Sequence, residues 1–117
     1  MNDIRPAGLL QRLFLLFDLL VRYRIEGDSM LPVLRHGEEV LVREKARIAV
    51  GDIVIARHPF KESVEMAKRI TGIDANGKYF LVGDNSEEST DSRSFGPVPE
   101  GCILGKVVYR LGRPSSL

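Results

Sequence analysis

The stretch Val64-Glu65-Met66-Ala67-Lys68-Arg69-Ile70 decides how the rest of this chain is read. With the period of two that a strand imposes, Val64, Met66, Lys68 and Ile70 share one face, and Glu65, Ala67 and Arg69 share the other. The second face reads as solvent. The first reads as core, yet it carries a lysine. A strand whose buried part ends before Lys68 would account for this. So would a four-carbon stem lying on apolar surface with its ammonium in water. A third account is that Lys68 is kept dry so that it can lose its proton. A free lysine has a pKa of about 10.4, so roughly one in a thousand is neutral near pH 7.4. Burial disfavours the charged form, and a neutral amine can serve as a general base. That role needs a nucleophile elsewhere in the chain.

Around this stretch the pattern is strand-like. Residues 23–26 read as short and extended, and 39–43, 52–57, 64–71, 79–82 and 103–109 read as strands. Gly37, Gly51-Asp52, Asn76-Gly77 and Gly83-Asp84-Asn85 punctuate them. Asn76-Gly77 is a two-residue hairpin signal, which makes 64–71 and 79–82 neighbouring antiparallel strands and leaves their register open. The expected fold is mainly β: a small, coiled antiparallel sheet or partial barrel, with one N-terminal amphipathic helix.

The chain has 117 residues, enough for one domain with a modest core. Hydrophobic residues make up 44% and charged residues 28%, the balance of a folded domain, and the net charge of +1 gives no basic excess for nucleic acid. The single cysteine, Cys102, rules out an internal disulfide and reads as a small core residue within Cys102-Ile103-Leu104. His36, His58 and Cys102 are too few and too scattered for a metal site, so neither metal nor cofactor is expected.

The organisation expected is an amphipathic helical segment at 1–22, a catalytic or binding domain at 23–112, and a tail at 113–117. In the first segment Leu9, Leu13, Leu16 and Leu20 form one helical stripe, and Leu10, Phe14, Phe17 and Val21 a second beside it. Gln11, Arg12 and Asp18 interrupt the run, which is too short and polar for a spanning helix of about 20 apolar residues. Two uses stay open: packing on the domain, or contact through residues 9–21 with a membrane interface or a partner.

A nucleophile is available in Glu26-Gly27-Asp28-Ser29-Met30-Leu31-Pro32-Val33-Leu34. Gly27 lets another backbone approach Ser29, and Pro32 prevents a helix from continuing back over it. An Asp-Ser turn closing a strand reads equally from local chemistry. A serine hydroxyl is a weak nucleophile until a base takes its proton, and Lys68 could be that base, since such partners meet in space. A third stretch, residues 83–94, runs twelve residues without an apolar side chain. A solvated loop fits, but loops of this length are often functional. Asp91 and Arg93 could pair and order it.

Together these segments resemble the signal peptidase I family of serine–lysine endopeptidases, over residues 23–107. The family's nucleophile segment, Ser-Met-x-Pro, is matched by Ser29-Met30-Leu31-Pro32. Its Gly-Asp-Ile-Val segment is matched by Gly51 to Val54, and its Lys-Arg pair by Lys68-Arg69. Its Gly-Asp-Asn and Ser-x-Asp-Ser-Arg segments are matched by Gly83-Asp84-Asn85 and Ser89-Thr90-Asp91-Ser92-Arg93. The resemblance implies the signal peptidase I catalytic-core fold and acyl transfer: Ser29 attacks the scissile carbonyl, and neutral Lys68 takes its proton and passes it to the leaving amine. It implies that Ser89 orients Lys68, and that Asp84 and Asp91 pair with Arg69 and Arg93. It places Gly27, Asp28, Met30 and Met66 at the substrate, and the backbone N–H of Ser29 at the oxyanion. One departure is Gly27, where many bacterial members carry a serine that donates a second oxyanion hydrogen bond. Another is Val33, where the family often has threonine.

Within the family, the size and the run from Glu88 to Gly96 resemble the small nickel-type superoxide dismutase maturation proteases. That likeness implies a leader-bearing precursor of nickel superoxide dismutase as the substrate and partner, and a cytoplasmic location with peripheral membrane contact through residues 9–21. The alternatives are a general signal-peptide-processing peptidase at the membrane and a non-catalytic β-domain that binds peptides by strand addition. A self-cleaving repressor of the SOS-response type also uses Ser and Lys. It would need a DNA-binding segment and its own cleavage site upstream, and the 22 residues before Tyr23 cannot supply both.

Overall fold

The computed structural model describes residues 20–87 and 90–112. Six strands form one open antiparallel sheet: β1 (Leu20–Arg24), β2 (Glu39–Arg43), β3 (Ile53–Arg57), β4 (Glu65–Ile73), β5 (Tyr79–Val82) and β6 (Ile103–Gly112). Their spatial order is β1-β2-β6-β3-β4-β5, so the last strand in sequence enters between β2 and β3. One helical turn, α1 (Ser92–Phe95), follows β5.

Both faces of the sheet's centre are covered. On one face Val40, Val42, Ile55 and Ala67 pack against Ile25, Met30 and Leu34 from the β1–β2 connection. On the other, Val54, Ala56, Met66, Ile70 and Leu81 pack with Val98. This two-sided cover explains the unbroken apolar run Ile53-Val54-Ile55-Ala56 on β3, in the middle of the sheet. Two expectations for β4 are corrected: Val64, expected on the core face, precedes the strand and is exposed, and the opposite face is not solvent throughout. Glu65 faces solvent and Arg69 is half-buried, but Ala67 is buried in the first cluster, because the connection carrying Met30 and Leu34 folds over that face.

Several boundaries move. β1 begins at Leu20, not Tyr23, and pairs along its whole length with β2, from Leu20 opposite Arg43 to Arg24 opposite Glu39. Leu20 and Val21, the end of the expected helical stripe, therefore lie in a strand, while residues 1–19 lie outside the described residues, as do the expected tail residues 113–117. The β4–β5 register is set by Asp74, whose Oδ1 accepts the N–H groups of Asn76 and Lys78, both at 2.9 Å, with Gly77 at φ +80°. Ile73 then faces Tyr79, and a bulge between Ile70 and Gly72 shifts the pairing by one residue. Cys102 is half-buried against the second cluster.

β5 pairs with β4 only from Arg69 onward. Among the described residues, the first half of β4, from Glu65 to Lys68, is paired on its β3 side alone. Residues of the β1–β2 connection line a cleft beside that half-strand.

Candidate active site

Lys68 lies on β4 between Met66 and Ile70, opposite Val54 of β3. It is 4% exposed, and Val54 and Ile70 are fully buried. Removal from water pushes its amine below the ordinary lysine range; the Asp91 carboxylate pulls it back up, and the Arg93 guanidinium adds to the depression.

Ser29 is brought to it by an irregular segment with a firm anchor. Met30, the next residue, has no exposed surface, and its C=O accepts the N–H groups of Val33 and Leu34, both at 2.9 Å. Gly27 takes φ +80°, and its N–H donates to His36 Nδ1 at 2.8 Å. Glycine is favoured in that left-handed conformation because it carries no Cβ. Asn85 grips the far side: its backbone N–H donates to Ser29 C=O at 2.8 Å, and its side-chain amide to Asp28 C=O at 3.0 Å.

Ser29 and Lys68 line one cleft of about 360 Å³, with Gly27, Asp28, Met66, Ala67 and Thr90. Its rim carries Glu26, His58, Lys61, Val64 and Glu65. The volume suits a short stretch of peptide and falls in the usual range for ligand clefts.

Two carboxylate–guanidinium forks hold the loop that closes the site. Arg69 Nε and Nη2 donate to Asp84 Oδ1 and Oδ2 at 3.0 and 2.8 Å, while Nη1 donates to Gly51 C=O at 2.8 Å. Arg93 Nε and Nη2 donate to Asp91 Oδ1 and Oδ2 at 3.0 and 2.6 Å. Asp91 is 1% exposed and needs more than one donor. It caps α1 by accepting the Arg93 N–H at 3.0 Å and takes the Gly83 N–H at 2.9 Å. Bidentate forks of this kind fix orientation as well as charge.

Of the residues singled out from sequence, Ser29, Lys68, Gly27, Asp28 and Met66 meet at the cleft, and Asp84, Asp91, Arg69 and Arg93 stand behind it. Met30 is corrected: expected at the substrate, it points into the core. Ser89 lies outside the described residues. Sequence reasoning missed His36, His58 and Asn85. His58 is buried at the cleft, its Nδ1 accepting the Phe60 N–H at 3.0 Å and its ring 4.8 Å from that of Phe95. Only Asn85 had a usable signal, as the third member of Gly83-Asp84-Asn85. Among the described residues, no three His, Cys, Asp or Glu side chains come together as a metal site.

Comparison with known proteins bears on the family. The family model of signal peptidase, peptidase S26, matches residues 4–76 and 74–111. The mitochondrial inner membrane protease subunit 1 of Xenopus tropicalis is 34% identical over 108 residues, covering 73% of this chain and 65% of that protein. The mitochondrial ATP-independent inner membrane protease subunit 1a of Arabidopsis thaliana is 32% identical over 116 residues, 77% of this chain and 69% of its own length. The mitochondrial inner membrane protease subunit 2 of Schizosaccharomyces pombe is 29% identical over 108 residues, covering 72% of this chain and 60% of the relative. The chain thus spans about two thirds of the length of these relatives.

Two expectations change. These relatives are inner membrane protease subunits, and they give no support to the likeness with nickel superoxide dismutase maturation proteases or to that dismutase as the substrate. They also overturn the cytoplasmic location and point to a membrane-associated one, although no described helix is long and apolar enough to cross a membrane. With a matching family model over most of its length, this chain belongs to the signal peptidase family, peptidase S26.

Proposed function

We propose that this protein is a serine endopeptidase that uses Ser29 and Lys68 to remove an N-terminal segment from a precursor protein at a membrane surface. The observation that carries the reading is the burial of Lys68 on the same cleft as Ser29. An ordinary surface lysine is protonated at neutral pH and cannot accept the hydroxyl proton. A desolvated one is released from that charge, so a larger fraction is ready to act as a base.

The steps follow from the chain's own groups. Neutral Lys68 Nζ takes the proton of Ser29 Oγ as the oxygen attacks the scissile carbonyl. The tetrahedral oxyanion is met by the Ser29 N–H. Lys68 then gives its proton to the leaving amine, and a water molecule, deprotonated by the same amine, releases the acyl group from Ser29. Asp84–Arg69 and Asp91–Arg93 hold the β5–α1 connection in place, and Ser89 is the residue assigned to orient the Lys68 amine.

The substrate class follows from the sheet. The β5 ladder begins only at Arg69, so Glu65–Ala67 lie beyond it and beside the cleft, which suits an extended peptide laid alongside them. Gly27, Asp28 and Met66 would contact that peptide. The apolar residues of 9–19, which precede β1, would make the membrane contact, in keeping with the inner membrane relatives. The open edge also favours a second reading, a non-catalytic peptide-binding domain, and one experiment separates the two. The full chain is mixed with a leader-bearing precursor reconstituted in phospholipid vesicles, and the product N-terminus is read by mass spectrometry. Wild type should yield one new N-terminus, while Ser29→Ala and Lys68→Ala should bind the precursor and leave it intact. Cleavage by Ser29→Ala at the wild-type rate would refute the mechanism. Binding without cleavage by wild type would favour the non-catalytic reading.

A further inference from the structure

We propose that Asn85 is a positioning residue for acyl transfer: by gripping the two carbonyls that flank the Ser29 N–H, it aims that N–H as the oxyanion donor. The inference rests on the Ser29–Lys68 reading and adds a residue to it.

The geometry begins with one peptide plane. The Asp28–Ser29 peptide is trans, so its C=O and N–H point in opposite directions. Asn85 Nδ2 donates to that C=O at 3.0 Å. The Ser29 N–H is thereby turned away from Asn85, which is not among the residues lining the cleft. The following peptide is fixed from the same side, since the Asn85 backbone N–H donates to Ser29 C=O at 2.8 Å. Two consecutive peptide planes around the nucleophile are thus set by one residue, 57 positions from Asp28. On the other flank, His36 Nδ1 accepts the N–H of Gly27, a residue with left-handed backbone, at 2.8 Å and ties the segment there.

The Ser29 N–H itself meets no acceptor among the described residues. A backbone donor that is oriented but unused, on a residue that lines the cleft with Lys68, is what a developing oxyanion requires. A hydrogen bond to the carbonyl of a peptide also polarises the N–H of the same peptide, so the Asn85 amide strengthens the donor it aims. This matters more here than in family members with a serine at the position of Gly27, because Gly27 has no side chain to supply a second donor. The Asn85 side chain is itself held in place. Its Oδ1 accepts the Glu87 N–H at 3.3 Å, which fixes the amide in the orientation that points Nδ2 at Asp28.

The test uses the full chain and the vesicle-borne precursor. Asn85→Asp keeps the side-chain size and replaces the donor with an acceptor facing Asp28 C=O. Asn85→Ser keeps the backbone N–H bond to Ser29 and lacks the amide. Both are expected to lower kcat by about 10- to 100-fold, with KM within about twofold, as for a transition-state donor that is misaimed but not deleted. Inhibition by a peptide aldehyde, which forms a tetrahedral adduct on Ser29, should weaken by the same factor as kcat falls. The Ser29 amide 15N resonance should move in both variants, while resonances of β2 and β6 stay in place. In wild type, a scalar coupling from Asn85 Nδ2 to the Asp28 carbonyl carbon across the hydrogen bond is expected, and its absence would overturn the proposal whether or not the variants fold. Folded Asn85→Asp with unchanged kcat and aldehyde affinity would overturn it as well. If Ser29→Ala still cleaves, the underlying reading fails. If Ser29→Ala is inert and both Asn85 variants are fully active, only the role of Asn85 falls.

Discussion

Replacing Lys68 with methionine separates a catalytic amine from a structural ion. The position is 4% exposed and sits among Met66, Ile70 and Val54, so a side chain of similar length and no charge fits the same space. Volume-conserving apolar swaps in cores usually cost under about 1.5 kcal/mol. Against that small cost stands the relief of a desolvated amine. Burial lowers the amine pKa in the folded protein. Between that lowered value and the ordinary lysine value of about 10.4, the unfolded chain binds more protons than the folded one. Stability therefore rises with pH across that window, and the penalty is fully present below the folded value. Lys68→Met lacks the term. It is expected to be as stable as wild type or more so at pH 7, with its advantage shrinking as pH approaches 10.4.

The assay is thermal or urea unfolding of both proteins at several pH values between 7 and 10.5, with cleavage measured alongside. Activity should fall by about 10²- to 10⁴-fold, the usual contribution of a positioned general base. A gain or loss of 1 kcal/mol moves Tm by about 4 °C in a domain of this size, so the comparison is well resolved. Asp91 is the nearby carboxylate that could hold Lys68 as a charged partner, but it already has Arg93 and the Gly83 N–H. Loss of Lys68 should not strand it. A drop of about 3–5 kcal/mol at pH 7, the signature of breaking a buried ion pair, would refute the reasoning and make Lys68 a structural cation.

Two further outcomes are expected. The kcat/KM of wild type should rise with pH along a limb set by Lys68, below the ordinary lysine range. Arg93→Gln should move that limb to higher pH, because it removes a cation that disfavours the charged amine and uncovers the Asp91 carboxylate that favours it. A pH–rate profile that stays in place would detach the limb from Lys68. Gly105→Ala should destabilise by about 1–3 kcal/mol in denaturant unfolding, the usual cost of overpacking. A Cβ there would sit 2.5 Å from Val42 Cγ1 and 2.9 Å from Arg43 C=O, and the backbone of β2 cannot withdraw without losing its pairing. Wild-type stability in that variant would mean that β2 and β6 separate easily.

The sequence showed the sheet more clearly than its cover. Lys68 was legible because Met66 and Ile70, two residues away on either side, are buried on its face, although Val64, counted with them, precedes the strand and is exposed. Ala67 was not, since alanine suits either environment and the residues that bury it, Met30 and Leu34, lie far upstream in an irregular segment. The same fact misled the reading of Met30, whose place beside a nucleophile suggests substrate while its side chain anchors the loop from within. The position of β6 between β2 and β3 leaves no local trace, apart from Gly105, a glycine inside an apolar strand where another backbone comes close. The bulge after Ile70 was likewise hidden: Asn76-Gly77 marks the turn, but it is Asp74 that sets its frame.

The motifs scattered along the chain are one connected structure, and Gly83-Asp84-Asn85 is its centre. Each of the three residues reaches a different segment. Gly83 donates to Asp91, the cap of α1 and the partner of Arg93. Asp84 holds Arg69, the neighbour of Lys68, and Arg69 in turn holds the backbone of Gly51 at the entry to β3. Asn85 holds Asp28 and Ser29. Lys68 lies on a strand, where pleating and cross-strand pairing fix its direction. Ser29 lies on a segment with no regular pairing, so its direction comes from contacts with other segments. A short turn that touches both the strand neighbour of Lys68 and the carbonyls around Ser29 therefore fixes Ser29 and Lys68 relative to each other. This is why four short motifs, distant in sequence, are found together: each is one end of a hydrogen bond whose other end lies in another of them.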